Sequence, residues 1–126
     1  MQKGDVFSYS RSFTVEEVLH FGELSGDQGR HHVELDDKGR LMVQGLLTAS
    51  LGTKIGGDMH YIARQMNSEF VRPVFTGDVI TCEVTLMNVE PSDGYVKVSI
   101  ESVTRNQQGK EVLLATSHGI IRKDEA

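Results

Sequence analysis

Along the chain, apolar residues recur every three to four positions in some segments and every second position in others, and these two periods divide it into helices and strands. Residues 5–13 read as an opening strand. Thr14 then offers a side-chain cap, Glu17 stands three positions on to reach back to it, and Phe13 and Val18 supply a flanking apolar pair. These signals predict a helix from Val15 to about Leu24, burying Val18, Leu19 and Phe21 or Leu24. It should stop in the turn-forming sequence SGDQG at 25–29. Residues 25–40 are polar and contain a second turn over Asp36 to Arg40, so they read as loop.

Helical spacing returns from Gln44 to about Gly57. Leu47, Leu51 and Ile55 form one stripe, and Gly45, Ala49, Gly52 or Thr53, and Gly56 form a neighbouring stripe of small residues. Gly52 and Gly56 each cost about 1 kcal/mol of helix propensity relative to Ala. Two such costs in one helix predict a backbone packed closely against something broad, such as a sheet wrapped round it. The helical pattern is expected to continue through residues 60–66. Beyond it the period is two: Ile80, Cys82, Val84 and Leu86 alternate with polar residues, as do Val96, Val98 and Ile100. Val112, Leu114, Thr116 and His118 alternate with Leu113, Ala115 and Ser117. Turns at 91–94 and 106–109 join these strands into an antiparallel meander. The predicted architecture is α+β, an antiparallel sheet around a central helix in one domain spanning 1–126. Exposed edges on so small a sheet favour a homodimer.

Composition narrows the classes. Hydrophobic residues at 38% and charged residues at 25% are ordinary for a globular chain and exclude global disorder. Thirteen basic against eighteen acidic residues give a net charge of -5, which removes the electrostatic case for nucleic-acid binding. No run of eighteen apolar residues occurs, and MQKGDVFSYS at the start lacks a signal-like apolar stretch. No membrane insertion is therefore expected, and a cytoplasmic location is. Cys82 has no second cysteine to pair with and lies in an alternating apolar run, so it reads as a buried structural thiol.

Asp27 and His32 are the strongest candidates for chemistry. A carboxylate and an imidazole can hold one water between them, and one of them can take its proton as the oxygen attacks carbon. Imidazole suits this because both of its protonation states are accessible near neutral pH. By spacing alone the signal is weak, and two solvated loop residues explain the pair better. His31 and Glu34 beside His32 raise a metal site, but neighbouring residues in extended chain diverge and no spaced histidine or cysteine partner follows. No metal and no cofactor is expected. Gly45 would begin the second helix with unpaired N–H groups, a place to stabilise charge on a thioester oxygen. Close packing explains the same glycine. No Gly-x-Ser-x-Gly elbow, phosphate-binding loop or dinucleotide fingerprint is present. Arg72, before Pro73, suits a surface, a subunit contact or an anionic substrate tail, and His118 reads as a partly buried structural histidine.

Three segments carry a family resemblance: FGELSGD at 21–27 leading to His32, VQGLLTASL at 43–51, and FVRPVFTGD at 70–78. In order and spacing they resemble the MaoC-like hot-dog family, and within it the (R)-specific enoyl-CoA hydratases, over nearly the whole chain. The family pattern Ser-x-Asp-x-Asn-Pro-x-His places Asp27 and His32 on its catalytic aspartate and histidine. The resemblance implies a hot-dog fold, a homodimer or higher homo-oligomer with a continuous sheet, and an acyl tunnel near the subunit boundary. It also implies reversible hydration of a trans-2-enoyl thioester carried on CoA or acyl carrier protein, giving the (R)-3-hydroxyacyl thioester. Gly45 falls on the glycine whose N–H binds the thioester carbonyl, and Thr53 where a serine commonly stands near the catalytic histidine. Gln44 replaces the usual histidine before that glycine, Gly29 and Arg30 replace Asn-Pro, and the stretch from His32 to Gly45 is shorter than in typical hydratases. Thioester hydrolysis and non-catalytic acyl-thioester binding are the alternatives. Hot-dog thioesterases commonly carry an acidic residue on or near the central helix, whereas residues 44–57 contain none.

Overall fold

A computed structural model describes residues 1–125. In chain order it contains β1 (Val6–Arg11), α1 (Val15–Ser25), the single turn α2 (Arg30–Val33), α3 (Gly45–Asp58), β2 (Ile62–Phe70), β3 (Ile80–Pro91), β4 (Tyr95–Arg105) and β5 (Glu111–Arg122). The strands form one sheet in the order β1-β3-β4-β5-β2, with every neighbouring pair antiparallel. One face of that sheet packs on α3. Leu51 and Ile55 from the helix join Ile80, Cys82, Val84, Leu86, Val98 and Ile121 from the strands in the buried core. Among the described residues, no helix is long and apolar enough to cross a membrane.

The cap at Thr14 forms as its sequence predicts. The Glu17 N–H donates to Thr14 Oγ1 at 3.1 Å, and the Thr14 N–H donates to Glu17 Oε1 at 3.0 Å. Gly26, at φ 83°, ends α1 with its N–H on the Gly22 carbonyl. Of the expected buried side chains of α1, Val18 alone is fully enclosed; Leu19 and Leu24 are exposed. The helix instead brings Gly22 inward, where a Cβ would lie 3.0 Å from the Asp27 carbonyl. This close approach narrows the buried face and leaves the larger residues outside.

Residues 60–66 are not helical. The Tyr61 N–H closes back on the Gly56 carbonyl at 2.9 Å, His60 takes a left-handed φ of 57°, and the chain leaves as β2. Every residue of β2 is exposed, whereas β1, the other edge strand, alternates exposed with half-buried positions. No alternation of buried and exposed positions was there for the sequence to display.

The face of β5 also differs from expectation. Ser117 pairs with Ile100, Ala115 with Ser102 and Leu113 with Thr104, so these residues share the face turned towards α3. His118 pairs with Ser99 on the opposite face, is exposed, and is hydrogen-bonded through Nε2 to Gln65 Oε1 at 2.7 Å. The inward positions hold small residues, which disguised them. Cys82 is buried as expected, and burial pushes its thiol pKa up.

Candidate active site

Asp27 and His32 meet through local geometry. Asp27 follows the αL residue that ends α1; its N–H donates to Ser25 Oγ at 3.1 Å, and its Oδ1 accepts from the Gly29 N–H at 3.2 Å. These two bonds curl residues 25–29 into a tight turn. One helical turn later, α2 carries His32 inward until it is only 6% exposed. Its Nε2 lies 3.4 Å from Asp27 Oδ2, whereas the Asp27 side chain remains 50% exposed. A Cβ at Gly29 would crowd His31, 3.0 Å from its Cε1, while meeting Asp27 Oδ1 and His32 Cδ2 at an ordinary 3.4 Å.

The other ring nitrogen sets the chemistry. His32 Nδ1 is 2.7 Å from the Met42 carbonyl oxygen. A carbonyl only accepts, so neutral His32 carries its proton on Nδ1 and presents the Nε2 lone pair to Asp27. Two acceptors then face one another and need a shared donor. A water giving one hydrogen to each satisfies both, and its oxygen is left polarised for attack. The Met42 carbonyl that holds the ring has no sequence signature. It is placed by backbone pairing, with Met42 bridged to Phe75, the Met42 N–H on the His31 carbonyl and the Val43 N–H on the Val74 carbonyl.

Gln44 and Gly45 follow directly. Gln44 is 2% exposed; its Nε2 donates to the Val18 carbonyl at 2.9 Å, tying α3 to α1, and its buried Oε1 has no protein partner. Gly45 is the first residue of α3, as expected, so its N–H has no acceptor within the helix. A Cβ on Gly45 would come within 2.9 Å of the Phe70 ring, so close packing against β2 is one reason for glycine here.

Thr53 lies two turns further along α3. It makes no hydrogen bond to His32 and instead lines a cavity of about 260 Å³ between α3 and the sheet. Ala49, Gly52 and Gly56 of α3 form one wall, and Cys82, Leu113 and Ala115 belong to the other. The small stripe therefore borders space. A Cβ at Gly52 would meet nothing within 4 Å, and one at Gly56 only the Tyr61 side chain, at 3.5 Å. Close contact with a sheet, expected from the two glycines, is not what they provide. Asp27, His32, Gln44 and Gly45 do not line this cavity within one chain. Among the described residues, no three His, Cys, Asp or Glu side chains cluster as metal ligands.

The comparison with solved structures identifies the fold. The (R)-hydratase PhaJ1 from Pseudomonas aeruginosa superposes with a TM-score of 0.83 at 20% identity, covering 97% of this chain and 82% of the other. The (R)-hydratase from A. caviae involved in PHA biosynthesis gives 0.84 at 23% identity, covering 94% and 96%. The chain has the hot-dog fold. The 3R-hydroxyacyl-ACP dehydratase complex HadBC from Mycobacterium tuberculosis shares it, with a TM-score of 0.72 at 14% identity and coverage of 96% and 98%. No protein-family model and no curated relative matches the sequence. At these identities the likeness is one of architecture, shared with MaoC-like dehydratases and (R)-hydratases.

Proposed function

We propose that this hot-dog chain, one domain over residues 1–126, is a hydro-lyase that reversibly hydrates a trans-2-enoyl thioester to the (R)-3-hydroxyacyl thioester. The observation that carries the reading is the Asp27–His32 pair, 3.4 Å apart with the outer imidazole nitrogen fixed on the Met42 carbonyl. In the hydration direction the bridging water adds its oxygen to C3 of the enoyl group. The pair receives one water proton and passes that proton to C2, so that H and OH are added across the double bond and the pair returns to its starting state. The Gly45 N–H and the start of α3 stabilise negative charge developing on the thioester oxygen. Gln44 positions that helix start by its bond to α1. The (R) outcome follows from the resemblance to (R)-hydratases.

The apolar cavity along α3 suits the acyl chain, with Thr53 on its wall. Ala63, Met66 and Ser68 of β2 border it, and the whole outer edge of β2 is free for pairing. A second copy laid antiparallel along β2 would extend the sheet and close the cavity, which supports a homodimer.

The decisive assay incubates purified protein with enoyl-CoA and acyl-CoA thioesters of several lengths, following loss of the conjugated double bond and release of free thiol separately. Double-bond loss without thiol release is the expected result. Thiol release alone would replace this reading with a thioesterase, and saturable binding with neither product would leave an acyl-thioester binding protein.

A further inference from the structure

The cavity between α3 and the sheet is apolar over most of its wall, yet hydroxyl side chains interrupt it. Those of Ser102 and Thr104 hydrogen-bond the Cys82 thiol within the wall itself. Tyr61 and Ser117 are different. Their hydroxyl oxygens lie 2.7 Å apart, and neither has another side-chain partner among the described residues. Two hydroxyls carry two hydrogens and one of these closes the pair, so whichever donates, one O–H and spare lone pairs remain. Burial pushes the Tyr61 pKa up, which keeps the phenol protonated and able to donate.

The chain takes on local strain to place that phenol. His60 adopts the left-handed φ of 57°, which a side chain disfavours, and the turn there ends α3 and sends Tyr61 back over it. The ring lies against Gly56, where a Cβ would be 3.5 Å from its Cδ2, and the hydroxyl reaches across to β5. There Ser117 stands between Ile100 of β4 and Met66 of β2. An alkyl chain would be served as well by an apolar side chain at that position.

We propose that the Tyr61–Ser117 pair is a specificity subsite for a neutral oxygen group, hydroxyl or carbonyl, borne on the acyl chain, so that the preferred substrate is an oxygenated enoyl thioester; this rests on the enoyl-thioester reading above. The free O–H donates to the substituent oxygen, and the pair's lone pairs accept from a substituent hydroxyl. A plain chain displaces water from that O–H and offers it nothing, so the site discriminates against the ligand that cannot pair it. A carboxylate fits less well. No Lys, Arg or His lines the cavity among the described residues, so its charge would be enclosed without a partner.

The test compares trans-2-enoyl-CoA thioesters of one chain length, one unsubstituted and the others carrying a single hydroxyl or keto group at successive carbons towards the chain end. Because both side chains are only half-buried, kcat/KM should favour one oxygenated isomer over the plain chain by about tenfold, mainly through KM. In Tyr61→Phe and in Ser117→Ala that ratio should fall to near one. Tyr61→Phe keeps the ring on Gly56 and Ser117→Ala keeps the strand, and either folded variant is enough to decide. No preference for any isomer in wild type, an unchanged ratio in the variants, or an equal loss for plain and oxygenated chains would overturn the subsite. The last result would make the pair a strut between α3 and β5. Calorimetry with the matching saturated acyl-CoA thioesters, which cannot be hydrated, reads the subsite without turnover. Tighter binding of the oxygenated chain, lost in the variants, in a protein that hydrates nothing would reject the hydratase reading and keep the subsite. Hydration of every isomer alike would keep that reading and reject the subsite.

Discussion

The two ends of α3 are built on opposite terms. At its start, polar atoms are tied to named partners: Asp27 to the Gly29 N–H, His32 to the Met42 carbonyl, Gln44 to the Val18 carbonyl. Along its later turns the important feature is missing atoms, where Gly52 and Gly56 leave space in front of Ala115 and Ser117. The first region fixes a few groups to within hydrogen-bond tolerance, as proton transfer needs. Over most of its wall the second is apolar, with no directional contact to enforce, which suits a chain of variable length.

The sharpest way to break this division is Asp27→Ala. Half exposed and bonded only within its own turn, Asp27 contributes little to the fold, so urea denaturation should move by less than about 0.5 kcal/mol. Hydratase turnover should nevertheless fall by roughly 10² to 10⁴. Wild-type kinetics in this variant and in His32→Ala would remove the pair from the reaction.

Gly52→Leu tests the other region. The side chain would project into the cavity, and kcat/KM for long enoyl thioesters should drop at least about tenfold relative to short ones. Gly52→Ala meets no clash and should instead raise stability by about 0.5–1 kcal/mol while keeping the chain-length profile. If Leu at 52 lowered all lengths equally, the cavity would not be where the acyl chain lies.

Gln44→Ala probes the tie between α1 and α3. It removes the cross-helix donor to the Val18 carbonyl, which keeps the Gly22 N–H of its own helix, and takes the buried unpaired Oε1 with it, so chemical denaturation should show a loss of about 1 kcal/mol. An unchanged midpoint would mean that water replaces the amide without cost.

The smallest effect belongs to the cap of α1. The Thr14 N–H, with help from Arg11, holds the Glu17 carboxyl below its ordinary range. The unfolded chain therefore takes up this proton first as pH falls. The stabilisation is complete above the ordinary glutamate value and is lost as pH drops through the lower folded one. Stability measured from neutral pH into the acid range should decline less steeply in Glu17→Gln than in wild type. Parallel curves would show that the capping carboxylate is not what acid titrates.

Much of this was legible in the residues because the rules are local. Thr14 and Glu17 announced the cap, the periods announced α3 and three of the strands, and the turn chemistry of 25–29 put Asp27 just ahead of His32. Helix 60–66 failed because β2 buries no residue on either face and so has no period to read. His118 was set on the wrong face because Val112 and Leu113 are both buried, and the inward Ala115 and Ser117 are small enough to pass for outward ones.

The sequence by itself determined α1, α3 and the strands other than β2, the residue types at the candidate site and the glycine that opens α3, since each depends on contacts a few residues apart. Tertiary structure alone decided the rest. The lone pair His32 shows to Asp27 depends on the Met42 carbonyl ten residues away. The cavity depends on the register that turns Leu113, Ala115 and Ser117 towards α3. Register and long-range pairing are set by the packing of the whole sheet, and no local stretch of sequence contains them.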